Sequence, residues 1–223
     1  TMTSLLPQHP SNYPLNSPGH SPSLSSDAQL LSQFGFIPGV RDLLILRQVH
    51  ALEHATIWIL SGARPPLTLT ATAYRGYSLT RSDDGRFGGL STPQGFYLTG
   101  DITLQALRRA SMLALKRLNA GEWDLAIHPR CGTNASVTMA LVTGLSLAAH
   151  ALIPRRPLEQ MLGLGAAAAA ATALTPTAGA IAQRYVTTAI PSNLVIDTIY
   201  PIHHDDPENQ PRQHFVKTKW VDI

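Results

Sequence analysis

Two stretches of this 223-residue chain carry no charge at all, and they limit its architecture more than anything else in it. No Asp, Glu, Lys or Arg occurs from Cys131 to Pro154, and none occurs from Gln160 to Gln183. Each stretch is 24 residues, enough at about 1.5 Å per residue to cross ~30 Å of hydrocarbon. Between them Arg155-Arg156-Pro157-Leu158-Glu159 forms a tight polar connection, so the pair is expected to make a transmembrane helical hairpin. The second stretch is mostly alanine with Gly163, Gly165 and Gly179, which suits close helix–helix contact, and Pro176 is expected to kink it. The alternative is a buried hairpin in a soluble protein. His150 is expected to be a hydrogen-bond partner between the two helices.

The segment 41–61, RDLLILRQVHALEHATIWILS, is apolar nearly all round and is bounded by Pro38-Gly39 and by Gly62 with Pro65-Pro66. That pattern predicts a buried helix. Histidine and glutamate on such a helix are costly unless something satisfies them. On a helix His50 and His54 fall one turn apart on one face, with Glu53 flanking it. Two imidazoles at this spacing can share a metal ion, and the neighbouring carboxylate can take a proton from metal-bound water. The order H-x-x-E-H is also that of the inverzincin metallopeptidases, a likeness confined to five residues.

Zinc needs a third protein ligand, and an open position if it is to catalyse. His128 and Cys131, in His128-Pro129-Arg130-Cys131-Gly132-Thr133-Asn134, are the best donors. Glu122 and Asp124 are weaker ones. Ligation by all of His50, His54, His128 and Cys131 would close the site and make it structural. A second reading makes Cys131 a nucleophile at a helix N-terminus beside Arg130, with His50 or His54 as base. Gly132, Thr133 and Asn134 would then offer donors to an anion or oxyanion. The bland reading of Cys131 is a small buried apolar residue. His203-His204-Asp205-Asp206 reads as a solvated terminal run.

The remaining elements are coarser. Residues 1–37 contain no Lys or Arg and are rich in Pro, Ser, Asn and Gln, so they are expected to be disordered and to hold no signal or transit peptide. LTLTATAYRGYSLT (67–80) reads as one or two strands, 82–86 as a turn extended by Gly88-Gly89, and Gly95–Thr99 as a strand. A helix from about Leu104 to Asn119 is expected, capped by Asp101 or Thr103, with Leu104, Leu107, Met112, Leu115 and Leu118 inward. Trp123–Ile127 reads as a short strand, and LVIDTIYPI as strand-like. The fold class is thus α+β, a small mixed domain at 38–131 followed by the hairpin at 132–185 and a polar extension at 186–223. Only 14% of residues are charged and net charge is +3, with no aromatics interleaved among the basic residues, so nucleic acid is not an expected partner. One cysteine excludes an internal disulfide and fits a cytosol-facing domain.

The helix carrying Leu52-Glu53-His54, followed downstream by His128-Pro129-Arg130-Cys131-Gly132-Thr133 at the mouth of a hairpin, resembles an uncharacterised membrane-protein family of cyanobacteria and related phototrophs. It is also distantly similar to a broader bacterial membrane family that shares G-A-E-H and H-P-R-C-G-T. The resemblance covers roughly residues 40 to 190. It implies a thylakoid or plasma-membrane location and no particular activity. The expectation is therefore a membrane-anchored metalloprotein, with zinc as the ion and Glu53 as general base of a hydrolase, most simply a peptidase. The alternatives are a non-catalytic assembly or scaffold factor for membrane-protein complexes, and a Cys131-dependent hydrolase or transferase.

Overall fold

The computed structural model describes residues 26–63, 85–202 and 212–221. In chain order the elements are α1 (Ser26–Phe34), α2 (Val40–Ser61), β1 (Gly88–Thr92), β2 (Gly95–Thr99), α3 (Leu104–Asn119), a 3₁₀ turn (Trp123–Ala126), α4 (Gly132–Leu152), α5 (Pro157–Ala182), a π-helical turn (Gln183–Thr187), β3 (Leu194–Ile202) and β4 (Gln213–Trp220). The expected strands at 67–80 and the His203–Asp206 run lie outside the described residues.

Helix α2 is the axis of the domain. It ends at Gly62, whose left-handed backbone (φ 65°) lets its N–H return to the Ile59 carbonyl. Val49, Ala51, Leu52, Ala55 and Trp58 are at most 2% exposed, which bears out a helix buried nearly all round. A four-stranded antiparallel sheet of order β1-β2-β4-β3 packs against α2 and α3. Phe96 and Leu98 of β2 and Val216 of β4 are fully buried in the shared core with Leu52, Leu107 and Leu118. Tyr97, Phe215 and Tyr200 stack across β2, β4 and β3. Helix α3 starts at Thr103, whose hydroxyl accepts the Ala106 N–H at 3.3 Å. It turns Leu107, Ala110, Ser111, Ala114 and Leu118 inward, while Leu104 and Met112, expected inside, face outward.

Three expectations need correction. Residues 26–34, expected to be disordered, form α1, because Asp27 is held by Arg47 of α2 at 3.0 Å. The extension 186–223 is not a mere tail, since it supplies β3 and the interior strand β4, so the sheet of the α+β domain closes only with residues 194–220. Trp123–Ile127 is a 3₁₀ turn rather than a strand, and it spends its carbonyls on α2: Trp58 Nε1 donates to Ile127 O at 2.9 Å.

Helices α4 and α5 form an antiparallel hairpin, each long and apolar enough to cross a membrane. None of α4 is buried, and the buried positions of α5 (Gly163, Ala167, Ala171, Gly179 and Ala180) are all small. Four of them recur every fourth or eighth residue on one stripe, the geometry that brings helix backbones close. His150 lies in the last turn of α4, and its Nδ1 meets Gln160 Oε1 of α5 at 3.1 Å. This is the helix–helix bond expected of it.

Candidate metal centre

The two sequence motifs meet at the base of the hairpin. His50 and His54 leave α2 one turn apart, with ring centroids 4.3 Å apart. Cys131, the N-cap of α4, comes up against them, and its Sγ lies 3.2 Å from His50 Nε2. One ligating atom from each of His50, His54 and Cys131 falls within 4.8 Å of the other two.

The imidazoles are oriented from behind. His50 Nδ1 donates to the Thr187 carbonyl at 3.1 Å, and His54 Nδ1 donates to the Ala126 carbonyl at 2.7 Å. A carbonyl only accepts, so each Nδ1 carries a proton, and Nε2 is the ring atom of each histidine that remains for a ligand. Backbone partners of this kind fix the ring and tautomer of metal-binding histidines. Burial holds His54 below its ordinary pKa, which keeps the ring neutral at pH 7. For Cys131, burial pulls the thiol upward, but the neighbouring His54 and two contacts from Thr133 outweigh it, and the net shift is down. Those contacts are the Thr133 N–H at 3.4 Å and Oγ1 at 3.3 Å. Two imidazoles facing a thiol whose pKa is shifted down make a donor set suited to zinc.

Glu53 stands beside the cluster, under β1. Its carboxylate accepts a hydrogen bond from Ser91 Oγ. Gly89 must be glycine for this packing, because a Cβ there would sit 2.7 Å from Glu53 Cγ. Burial raises the Glu53 carboxyl above its ordinary pKa, with Ser91 and His50 acting the other way. All of these groups open on one cavity of about 470 Å³, whose walls include Leu46, Ile57, Phe87, Arg130 and residues 88–91.

Other expected site residues take different roles. His128 lines the cavity but is not of the ligand trio. Its ring packs 4.9 Å from Trp58 and 5.5 Å from His54, and its Nδ1 accepts the Arg130 N–H at 3.3 Å. The backbone N–H of Asn134, expected as a donor to an anion, donates to Cys131 O at 2.9 Å, and its side chain is engaged as well. Its Nδ2 donates to Pro129 O, and its Oδ1 accepts from Gln183 Nε2 at 3.0 Å. Gln183 Oε1 in turn accepts the His128 N–H at 2.8 Å, so these amides hold the turn that presents Cys131. Gly132 and Thr133 do line the cavity. Glu122 pairs with Arg117, away from the cluster. Sequence reasoning missed Ser91 and Gln183; the glycine pair before Ser91 was the only signal for the former.

Fold and site together define a small α+β domain that carries an exposed apolar hairpin and, at their junction, a His-His-Cys cluster of which His54 and Cys131 are buried and His50 half-buried. Residues 45–199 match the model of a family described as a domain of unknown function, DUF6391. The chain belongs to that family. It is 46% identical over 202 residues to an uncharacterised protein of the cyanobacterium Picosynechococcus sp. (strain PCC 7002), covering 91% of this chain and 93% of the relative. No solved structure matches it.

Proposed function

We propose that the protein is a membrane-associated metalloprotein in which His50, His54 and Cys131 hold a zinc-like ion and Glu53 is the general base of a hydrolytic reaction. The observation that carries this reading is the pair of Nδ1–carbonyl bonds that fix the two rings, together with the convergence of one donor atom each from His50, His54 and Cys131 to within 4.8 Å of one another. Three protein donors leave a fourth position toward the cavity, as catalytic zinc sites do. Bound there, the ion would polarise a carbonyl and acidify water. Glu53, buried and lifted in pKa, would take the proton of that water and pass it to the leaving group. The exposed apolar hairpin supports anchorage in a membrane. A cyanobacterial relative supports the thylakoid or plasma membrane, and a free cysteine supports a domain on the reducing, cytosolic side.

Metal analysis of the purified protein tests the first step. Wild type should carry about one ion per chain, as a single three-donor site requires, with His54→Ala and Cys131→Ser losing it. Negligible metal in all three would overturn the reading. The 3.2 Å contact between Cys131 Sγ and His50 Nε2 favours one competing use, a thiolate nucleophile. Metal-free wild type that is active and is inactivated by stoichiometric iodoacetamide would select that use instead.

A further inference from the structure

One wall of the cavity over the cluster is strand backbone. Gly88, Gly89, Leu90 and Ser91 are successive residues of β1, and all four line it. Successive side chains of a strand point to opposite faces, so a surface touching four in a row touches the strand's edge. Among the described residues β1 is the outermost strand of its sheet. Gly88, Gly89 and Leu90 are exposed, Leu90 at 64%, so solvent reaches that edge.

The register says which backbone groups look outward. Thr92 and Gly95 are partners across a two-residue turn, which makes them a hydrogen-bonded pair. Such pairs alternate along an antiparallel ladder, so Leu90 and Gly88 also spend their backbone groups on β2. Gly89 and Ser91 therefore turn N–H and C=O away from β2. The far side of β2 agrees with this parity. Gly100 N donates to Arg212 O at 2.9 Å, and Thr218 N donates to Gln94 O at 3.0 Å, which assigns the even-numbered residues of β2 to β4 and the odd-numbered ones to β1.

We infer that this edge is the substrate subsite and that the substrate is an extended polypeptide segment, which adds to β1 as a further strand and passes over the His50–His54–Cys131 cluster. The inference rests on the hydrolytic metal-site reading above and names its substrate class. Two outward donor–acceptor sets about 7 Å apart repeat at the spacing of an extended peptide, and lipid or sugar chains have no matching alternation of N–H and C=O. Glu53 lies directly under Gly89 and Ser91, the two residues whose groups face outward, so the general base sits beneath the path of the added strand. Leu46, Ile57 and Phe87 give the cavity an apolar floor for a side chain flanking the reacting bond. In the step itself the oxygen of water bonds to the peptide carbonyl carbon, the C–N bond breaks, and Glu53 carries one water proton to the departing amine. The products are a carboxylic acid and an amine.

The test uses full-length protein in detergent with Glu53→Gln, so that bound peptide is not consumed. It is mixed with a degenerate library of end-blocked decapeptides, and amide exchange is read to single residues by mass spectrometry. The Gly89 and Ser91 amides should slow about tenfold or more, as strand addition gives them partners, while Leu90 and Thr92 should not change. A fully N-methylated library and phosphatidylcholine vesicles should give no slowing. No slowing with the ordinary library, equal slowing with the methylated one, or slowing with vesicles instead would overturn strand addition. Metal content of wild-type protein is measured alongside. Bound metal without β1 protection sinks this inference alone, and protection without metal sinks the metal reading alone.

Discussion

Substituting Gly179 by alanine should damage the protein far more than the same change fourteen residues earlier on the same helix. A Cβ at Gly179 would overlap Asn134 Oδ1 and stand 2.9 Å from Asn134 Cγ. Asn134 has little room to retreat, being tied to the Pro129 carbonyl on one side and to Gln183 Nε2 on the other. Gln183 is fully buried, so losing that bond strands an amide donor away from water. Overpacking costs about 1–3 kcal/mol and an unsatisfied buried donor about 1–3 kcal/mol, offset by about 0.5–1 kcal/mol of helix preference for alanine. The net loss is on the order of 3 kcal/mol, which for a chain of this size lowers the melting temperature by roughly 6–12 °C. At Gly165 a Cβ meets nothing within 4 Å, so Gly165→Ala should be neutral or gain up to about 1 kcal/mol. Gly163→Ala meets only the mobile end of Ile153 closely and should fall between them. Thermal unfolding of the three variants in one detergent, followed by tryptophan fluorescence, gives the ranking. Melting temperatures of Gly179→Ala and Gly165→Ala within a degree or two of each other would refute the reasoning. Because Gln183 also accepts the His128 N–H, Gly179→Ala should loosen the turn bearing Cys131 and reduce bound metal as well.

Two further outcomes follow from the site and its surroundings. Glu53→Gln should keep the metal content of wild type while reducing turnover of the peptide pool by about 10²–10⁴-fold, the usual range for a lost general base; unchanged turnover would remove Glu53 from the chemistry. Burial lifts the Asp27 carboxyl above its ordinary value in spite of Arg47 and Gln48. The fold therefore holds that proton more tightly than the unfolded chain, so this contribution is complete below the unfolded value of 3.8 and is lost as pH rises through the raised folded value. Denaturant unfolding from about pH 4 to 7 should show wild type losing stability relative to Asp27→Asn across that window, and parallel curves would refute it.

The helical parts and the meeting of the motifs were legible because their signals are local and strong. The i, i+4 histidines and the apolar surround of α2, the cap and period of α3, and the charge-free runs of α4 and α5 all bear on a few turns of chain. The sheet was harder. Gly88-Gly89 carries turn chemistry, yet those residues are a strand because β1 lies flat on Glu53 and has no room for a Cβ at 89. β4 holds the alternation of a half-buried strand in His214, Val216 and Thr218, but it follows a polar run and pairs on one side with β2, over a hundred residues away. Trp123–Ile127 looks like a strand by composition, and only the demand of His54 and Trp58 for carbonyl partners explains why it turns. Likewise, the packing of the His128 ring on Trp58 joins residues seventy apart in the chain, which no spacing rule brings together.

The carbonyl that orients His50 belongs to Thr187, beyond the end of the returning hairpin helix, while the sulfur stands at the start of the outgoing one. A nascent chain that has formed only the first of the two apolar helices thus has the thiol and both imidazoles but lacks the oxygen that aims one of them. On the metal reading, ion capture waits until the second helix is seated. A soluble fragment cut before residue 157 would be a misleading surrogate for the whole chain, however well it folded.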